Sequence, residues 1–428
     1  WLYETINAAN TIINRANDPG IDWTQTDKNN IVAQARCIRA WCYRHLTYLW
    51  GDVPLTLTES NGANIKTDWQ RAPVAEVRRA MQADWEFARQ NLPVIAASDA
   101  QLIQGVASHY LAELYLSMGK PDSAKIEALR VINNPNYKLI TARYGVGASS
   151  PGTPFTDMFI EGNSKRTQGN TEALWIIQNE ENVTGGEGYN IMRRYWVNRY
   201  YSFQVKGTDG KSTSPIAVSA GNGGRGIGRL SPTRFQMNLY TGNDDRGSIY
   251  AWRYYYLINT TPPKGYKIGD TVFLDNKGAE TVSNANWPST RKWDWVSAAN
   301  TLIDPGYNDQ ILLRVGETYL LLAEADYDLG DLQGAADAIN ALRTRAHASL
   351  VTPDQINTDF ILDERARELF SEEDRRYALL RMHKWLSRVQ QYNKLAGPVV
   401  TARDTLLPIP QPVIDANRTS PMRQNPGY

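Results

Sequence analysis

One spacing of small residues occurs twice in the chain and restricts the folds that it can adopt. In each copy, an Ala-Glu pair is followed by a glycine seven residues after the alanine and by another alanine five residues after the glycine. The two copies comprise Ala112, Gly119 and Ala124, and Ala323, Gly330 and Ala335. Small side chains at fixed places let two antiparallel helices approach closely, as in tetratricopeptide-type hairpins. The repeat predicts a scaffold of helical hairpins, although two ordinary hairpins that share a glycine-containing turn would give the same pattern.

Apolar residues with helical spacing occur before the first copy. Between Asp27 and Gly51 they recur at steps of three and four, which defines one face of a helix. The residues on this face are Ile31, Ala35, Ile38, Cys42, Leu46 and Leu49. Asp27 is the predicted N-cap and Gly51 the predicted end. Two further helices are predicted over residues 74–91 and 101–118.

The middle of the chain has a different composition. From 133 to 308, Gly, Asn, Ser, Thr and Pro become frequent and helical periodicity fades, while strand-like runs occur at 173–178 and 271–274. We therefore expect a mainly α protein with three parts. These are N-terminal helical hairpins over 1–132, a loop-rich, aromatic insertion with short β-strands over 133–308, and C-terminal hairpins with a tail over 309–428. Loops on a rigid scaffold are where binding residues tend to lie.

The charge of the chain argues against polyanionic partners. Lys and Arg total 46 and Asp and Glu total 45, so the formal net charge is +1. Such a chain has no field that would hold nucleic acid, and a neutral ligand fits better. No apolar run approaches the roughly 18 residues that a membrane-spanning helix needs. The chain begins at Trp1 without Met, and we expect any targeting or lipidation signal to lie before it.

Patterns that would indicate an enzyme or a metal site are weak. Residues 221–226 match G-x-G-x-x-G, but Ser231-Pro232 leaves no room for the helix that a dinucleotide site needs. The four histidines lack zinc-ligand spacing, and no cysteine completes a set. Acidic residues are adjacent at 180–181 and 372–374, and a solvated helical face is the simpler account of the second group. We predict no catalytic residue, no metal site and no cofactor.

Aromatic residues are the strongest sign of a binding surface. The chain has 13 Trp and 23 Tyr against 8 Phe, and many fall in the insertion, including Tyr189 and Trp295. The apolar face of such a ring suits the C–H face of a sugar, while nearby polar groups contact its hydroxyls. The candidate binding residues in the insertion are Tyr195, Trp196, Asn198, Arg199, Trp252, Arg253, Tyr254, Trp287 and Trp293. The alternative for any one ring is that it packs the irregular insertion against the helices.

Several segments, in order along the chain, resemble the sequence motifs of one family. Residues 35–43 and 51–55 resemble its "EARFLRAxxYxxLxxxFGDVPL" signature, with Gln34 at the usual acidic position and Trp50 in place of the Phe. Its motifs "RxAEVYLLxAEA", "INxxRxRA", "ERxxEL" and "PIPxxExxxN…QNPGY" are matched at residues 314–325, 339–346, 364–369 and 408–428. On these motifs the chain resembles the SusD/RagB family of outer-membrane proteins from Bacteroidota.

This resemblance implies more than the residues show by themselves. It implies a superhelix of tetratricopeptide-like hairpins, a surface site for a glycan or oligosaccharide, and a TonB-dependent transporter of the SusC type as partner. It also implies that membrane contact is made only through an N-terminal lipid anchor, which is absent from this chain. Trp69 becomes a candidate glycan contact, because in this family the loop after the turn at Val53-Pro54 often helps to form the site. The expected function is non-catalytic capture of a glycan at the cell surface and its delivery to the transporter.

Two other functions stay open at this point. Helical hairpins could serve as a scaffold that binds a protein partner without any small ligand. A glycoside hydrolase would need two carboxylates about 5 to 10 Å apart in a cleft, whereas the acidic pairs noted above are neighbours only in sequence.

Overall fold

The computed structural model describes residues 1–180, 183–184, 191–275, 283–294, 301–302 and 306–428, and it shows a mainly helical protein. The α-helices are α1 (Leu2–Arg15), α2 (Gln25–Trp50), α3 (Val74–Asn91), α4 (Gln104–Ser117), α5 (Pro121–Ile132), α6 (Pro154–Asp157), α7 (Met192–Trp196), α8 (Arg234–Asn238), α9 (Val315–Asp328), α10 (Leu332–Arg345), α11 (Thr358–Leu369), α12 (Arg375–Arg381), α13 (Trp385–Tyr392) and α14 (Gln411–Ala416). The strands are β1 (Ala173–Ile177), β2 (Val205–Lys206), β3 (Ser212–Thr213), β4 (Trp252–Arg253), β5 (Tyr255–Leu257), β6 (Thr271–Phe273), β7 (Ser289–Thr290) and β8 (Gln310–Arg314). Each sheet in these ranges has two strands, so the helices form the body of the molecule.

The predicted N-cap of α2, Asp27, was wrong, because the helix begins three residues earlier. Its N-cap is Thr24, whose hydroxyl accepts the backbone N–H of Asp27 at 3.1 Å and donates to the Asp27 carboxylate at 2.7 Å. This satisfies an N–H group that the first turn leaves unpaired. The helix ends at Gly51, whose φ of 72° favours glycine. Helix α3 has the predicted bounds, and the helix predicted over 101–118 is the slightly shorter α4.

Successive helices pack on one another and form the expected tetratricopeptide-like superhelix. Helix α1 packs on α2, α2 on α3, α3 on α4 and α4 on α5. Helix α5 then packs on α9, which also contacts α10 and α11. The contact between α5 and α9 joins residues on either side of the insertion, so the two sets of hairpins form one continuous scaffold.

Both copies of the sequence repeat are helical hairpins with a glycine in the turn. Gly119, with φ 66°, lies between α4 and α5, and Gly330, with φ 79°, lies between α9 and α10. The glutamates of the two Ala-Glu pairs meet at the guanidinium of Arg381, with Glu324 at 2.7 Å and Glu113 at 3.3 Å. All three side chains are 5% exposed or less. The repeat therefore places two equivalent carboxylates around one buried arginine of α12.

A small sheet joins the insertion to the C-terminal part of the chain. Strands β1 and β8 are antiparallel, with Ala173 opposite Arg314 and Ile177 opposite Gln310. The strand predicted over 173–178 is thus confirmed as β1, and the one predicted over 271–274 as β6, which pairs with β5. Because β8 leads directly into α9, this sheet fixes the insertion to the scaffold.

Buried ion pairs connect the insertion to the C-terminal helices. Arg246 of the insertion donates to Glu364 of α11 at 2.8 Å, and Arg345 of α10 donates to Glu172 of the insertion at 2.7 Å. All four side chains are fully buried. We use the name buried charge network for the nine connected side chains Glu172, Arg246, Lys292, Arg314, Arg343, Arg345, Glu364, Glu368 and Glu372.

Glu368 lies at the centre of the buried charge network. Its carboxylate accepts from Arg314 at 2.5 Å, from Arg246 at 3.2 Å and from Arg345. Burial by itself raises the pKa of this carboxyl, but Arg345, Arg314 and Arg246 outweigh burial and hold the pKa of Glu368 well below its usual value. Glu368 is therefore ionised at neutral pH, and the opposite charges around it are compensated.

Replacement of Gly330 by Ala should destabilise the protein by about 1 kcal/mol. The added Cβ would meet no atom within 4 Å, but the φ of 79° is unfavourable for a residue with a side chain. Thermal unfolding followed by circular dichroism measures the change in Tm. Gly62→Ala is the matched control, because its Cβ also meets nothing within 4 Å and its backbone is not left-handed. An equal loss of Tm in both variants would contradict the role given to the turn.

Glu368→Gln should lower the free energy of unfolding at pH 7 by about 3–5 kcal/mol, because it leaves buried arginines without compensation. In the wild type, the folded-state pKa of Glu368 lies below its unfolded value of about 4.3, so its stabilisation is complete above that pH and is lost as the pH falls below it. Urea unfolding of both proteins between pH 3 and pH 7 should show a smaller dependence on pH for the variant.

The control for this experiment is Glu76→Gln, which changes an exposed glutamate in the first turn of α3. Its free energy of unfolding should differ from that of the wild type by at most about 0.5–1 kcal/mol at any pH, because an exposed carboxylate in a first helical turn contributes little. If Glu368→Gln does not fold, the wild-type protein still tests the account, since its stability must fall in acid. A Glu368→Gln variant as stable as the wild type would contradict it.

Candidate functional site

A cleft of about 510 Å³ opens between the insertion and the C-terminal helices. Helices α7 and α8 of the insertion contribute to its lining, together with the turn 370–375 and helix α13. Rings line it from both sides, and we call it the aromatic cleft, defined by Tyr195, Trp196, Phe235, Phe370 and Tyr392. Its volume lies within the range of about 300–1,000 Å³ that small-molecule sites usually have.

Four of the five rings of the cleft are held in two pairs. Phe235 and Tyr392 are stacked, with ring centres 3.8 Å apart and an angle of 19° between their planes. Trp196 meets Phe370 edge to face at 4.9 Å. The guanidinium carbon of Arg388 lies 5.6 Å and 5.5 Å from the centres of the stacked rings. These contacts order the rings before any ligand arrives, which reduces the entropy that binding would cost.

Arg388 is itself held by two carboxylates of α11. Its Nε donates to Asp359 at 3.1 Å, and its Nη1 donates to Asp363 at 2.7 Å. The cleft is also lined by the charged residues Glu372, Glu373, Asp374 and Arg375, and by hydroxyl and amide side chains that include Ser231, Thr233, Gln236, Gln310 and Asn393. The cleft therefore combines apolar faces with neutral groups that donate and accept hydrogen bonds.

The acidic residues 372–374 contradict their sequence-based interpretation. They lie in the turn between α11 and α12 rather than on a solvated helical face, and the side chains of Glu372 and Glu373 are only 7% and 4% exposed. Glu372 accepts from Arg314 at 2.7 Å, and Glu373 pairs with Arg365 at 2.8 Å. The prediction was wrong for Glu372 and Glu373 because the turn directs both side chains inward, toward Arg314, which is 58 residues away, and Arg365 of α11. Asp374 is 46% exposed and pairs with Arg44.

Ser371 gives this turn its shape. Its φ of 65° is uncommon for a residue with a side chain, and its hydroxyl accepts the indole N–H of Trp293 at 2.8 Å. Burial by itself raises the pKa of Glu372, but Arg314 and Lys292 outweigh it and lower this pKa. The pKa of Glu373 is lowered in the same way by Arg365 and Arg375. Both carboxylates are therefore ionised at neutral pH.

Two of the residues predicted from the sequence line the aromatic cleft. Tyr195 and Trp196 belong to α7, and both side chains are partly exposed. Arg199 is exposed just after this helix, where its guanidinium lies 5.6 Å from the ring of Tyr201. Tyr254 is partly buried, and its hydroxyl donates to the carbonyl of Gly247 at 2.7 Å. Neither Arg199 nor Tyr254 lines the cleft.

Four of the predicted residues are buried in the insertion. Trp252, Trp287 and Trp293 are 2%, 1% and 2% exposed, and Asn198 is 0% exposed. The Asn198 amide donates to the carbonyl of Trp287 at 2.7 Å and accepts the hydroxyl of Tyr256 at 2.9 Å. A ring or amide without an exposed surface cannot contact a sugar. These four residues therefore belong to the packed interior of the insertion and are not part of the candidate site. Tyr189 and Trp295 lie outside the described residues.

Trp69 and Arg253 lie away from the aromatic cleft. The backbone of Trp69 is held by Asn417 of the C-terminal tail, whose side chain accepts its N–H at 2.6 Å and donates to its carbonyl at 3.0 Å. Its ring is partly exposed, with the Lys66 ammonium 5.1 Å from the ring centre. Arg253 lines a second recess with Asp294. The predicted residues therefore do not form a single site.

Three rings of the cleft were not found from the sequence. Phe235 follows the glycine-rich segment, and Phe370 and Tyr392 lie in the C-terminal third, outside the insertion to which the candidate aromatic cluster belongs. Tyr392 is the last residue of α13 and is followed by Asn393-Lys394. An aromatic residue at a helix end that leads into polar residues was the available signal.

Comparison with known proteins identifies the class of protein that this fold and site define. The chain matches the model of the SusD family over residues 155–428, and the model described as starch-binding associating with outer membrane over residues 1–116. The chain belongs to the SusD family. Its curated relative SusD-like protein P2 of Formosa agariphila is 25% identical over 441 aligned positions, which cover 100% of this chain and 79% of the relative.

Solved structures show the same fold. A structure described as a laminarin binding SusD-like protein aligns with a TM-score of 0.69 and 20% identity, covering 100% of this chain and 84% of the other. NanU of B. fragilis aligns with a TM-score of 0.73 and 21% identity, covering 100% and 83%. In the described part of the chain, none of the helices combines the length and apolar character that a membrane span requires.

Proposed function

We propose that this protein captures a neutral glycan in the aromatic cleft without chemically changing it. The observation that carries the proposal is a cleft with partly exposed Tyr and Trp rings and neutral polar groups, in a chain of the SusD family. Sugar rings present apolar C–H faces and hydroxyl rims, and both kinds of surface have partners here. The laminarin-binding neighbour supports a glycan as the ligand class.

The charges of the cleft support a neutral ligand. Glu372 and Glu373 are paired with buried cations, and Arg375 also pairs with Glu373. Asp374 is paired with Arg44, and Arg388 is paired with Asp359 and Asp363. Affinity should therefore come from ring contacts and hydrogen bonds, which salt screens only weakly.

The same carboxylates support a function without catalysis. A glycoside hydrolase needs a carboxylic acid that still carries a proton at its working pH. The pKa values of Glu372 and Glu373 are both lowered, so neither residue holds that proton.

We further propose that the protein works at the cell surface. The model matched by residues 1–116 is described as associating with the outer membrane, which supports this location. In this proposal a lipid anchor N-terminal to Trp1 holds the protein there, and the glycan passes to a SusC-like TonB-dependent transporter. Family membership is the support for both the anchor and the transporter.

Trp196→Ala should weaken glycan binding about tenfold, because it removes a ring face from the cleft. Tyr392→Ala should weaken glycan binding to a similar degree, because this substitution also removes the stacking contact with Phe235. Isothermal titration against a panel of soluble neutral polysaccharides, including laminarin, measures these affinities. Binding of the wild type should change little between 50 mM and 500 mM NaCl.

The matched control is Phe273→Ala, which removes a ring that is 72% exposed and lies outside the aromatic cleft. Its affinity should equal that of the wild type, and thermal melts should confirm that all variants are folded. A wild type that binds no member of the panel, or a Trp196→Ala variant with unchanged affinity, would count against the proposal.

A further inference from the structure

A second recess, of about 370 Å³, lies on the insertion itself. Its lining includes Phe159, Tyr250, Arg253, Arg291 and Asp294, and we call it the Arg–Asp recess. Ala220 and Gly221, at the start of the glycine-rich segment, line it. Gly223 has a φ of 83°, and a Cβ at this position would collide with the Asp294 carboxylate. The close approach of Asp294 therefore explains why a glycine occupies position 223, in a segment to which the sequence analysis assigned no function.

Two arginines share the carboxylate of Asp294. Arg253 donates through Nε at 3.2 Å and through Nη2 at 2.5 Å, and Arg291 donates through Nε at 3.0 Å. Arg291 also donates through Nη1 to the carbonyl of Ile249 at 3.1 Å. Both guanidiniums are thereby held in place, which prepares them to bind a ligand.

Each guanidinium keeps donors that these contacts do not use. Nη1 of Arg253 and Nη2 of Arg291 have no hydrogen-bond partner within the described ranges. The Arg253 side chain is only 12% exposed, so its spare donor is available at the recess rather than at an open surface. A guanidinium donor that the protein does not use can donate to a ligand oxygen.

The recess is electrically balanced. Arg253 and Arg291 face the carboxylates of Asp294 and, at the rim, Glu161. Lys292 also lines the recess, but its ammonium is occupied by the carbonyls of Glu368 and Phe370 and by Glu372. A neutral ligand with several hydroxyls therefore fits better than an anion, because Glu161 would repel an added negative charge.

We infer that the Arg–Asp recess is a second carbohydrate subsite, which takes a neutral sugar residue through hydrogen bonds from Arg253 and Arg291 to its hydroxyls. Tyr250, which is partly exposed, supplies a ring for the C–H face. This inference rests on the proposed function, since it names a further site for the same class of ligand.

The second subsite is separate from the aromatic cleft. Lys292 stands in the wall between them, because it lines the recess while its ammonium contacts Phe370 and Glu372, which line the cleft. A polysaccharide could engage both places at once, and two linked contacts raise the overall affinity well above that of either one.

The experiment measures retention of the protein in native gels that contain a soluble neutral polysaccharide bound by the wild type. Arg291→Ala and Tyr250→Ala should each weaken retention, about tenfold for the arginine, because a charge-assisted hydrogen bond is lost. A variant with both Trp196→Ala and Tyr392→Ala should keep residual binding, and adding Arg291→Ala should abolish it. Arg79→Ala, an exposed arginine of α3, is the matched control and should be retained like the wild type.

The outcomes separate the two claims. If the wild type binds no glycan, both the proposed function and this inference are wrong. A wild type that binds while Arg291→Ala and Tyr250→Ala are both without effect overturns the second subsite and leaves the aromatic cleft standing. Residual binding in the double variant that is restricted to acidic polysaccharides, and is lost in 500 mM NaCl, overturns the assignment to a neutral sugar.

Discussion

The position of the insertion on the helices depends on one carboxylate, that of Glu368. Three guanidiniums from different parts of the chain converge on it: Arg246 from the insertion, Arg314 from the end of β8 and Arg345 from α10. Burial of so many charges is tolerated only because each has a partner of opposite sign with good geometry. These ion pairs therefore hold the loops of the insertion in one position on the helices, although the apolar cores of the insertion are small.

This arrangement also shapes the candidate site. Glu372 accepts from Arg314 within the buried charge network and belongs to the turn that lines the aromatic cleft. The ring of Phe370 contacts Trp196 on one side and the buried Trp252 on the other, at 4.9 Å and 4.8 Å. The pairs that hold the insertion thus also hold the rings that would meet a ligand, and capture needs little rearrangement.

Local signals in the sequence predicted the scaffold, and long-range contacts decided the site. Helical spacing and the glycine turns located α2, α3 and α4, because those signals act within a few residues. Whether a ring of the insertion faces solvent depends on contacts such as Arg246 with Glu364, which are 118 residues apart. Composition could not distinguish the partly exposed Trp196 from the buried Trp293. It also gave no sign that Phe235 and Tyr392 would stack across the cleft.

The central claim is that a preformed cleft between the insertion and α13 receives the glycan. Hydrogen exchange with mass spectrometry, on the wild type with and without a saturating soluble glycan, tests it most directly. The account predicts slower exchange in peptides that contain residues 192–196, 233–236 and 388–393, and unchanged exchange in the hairpin of α4 and α5. Protection confined to the helical hairpins, with no change at those three segments, would contradict it.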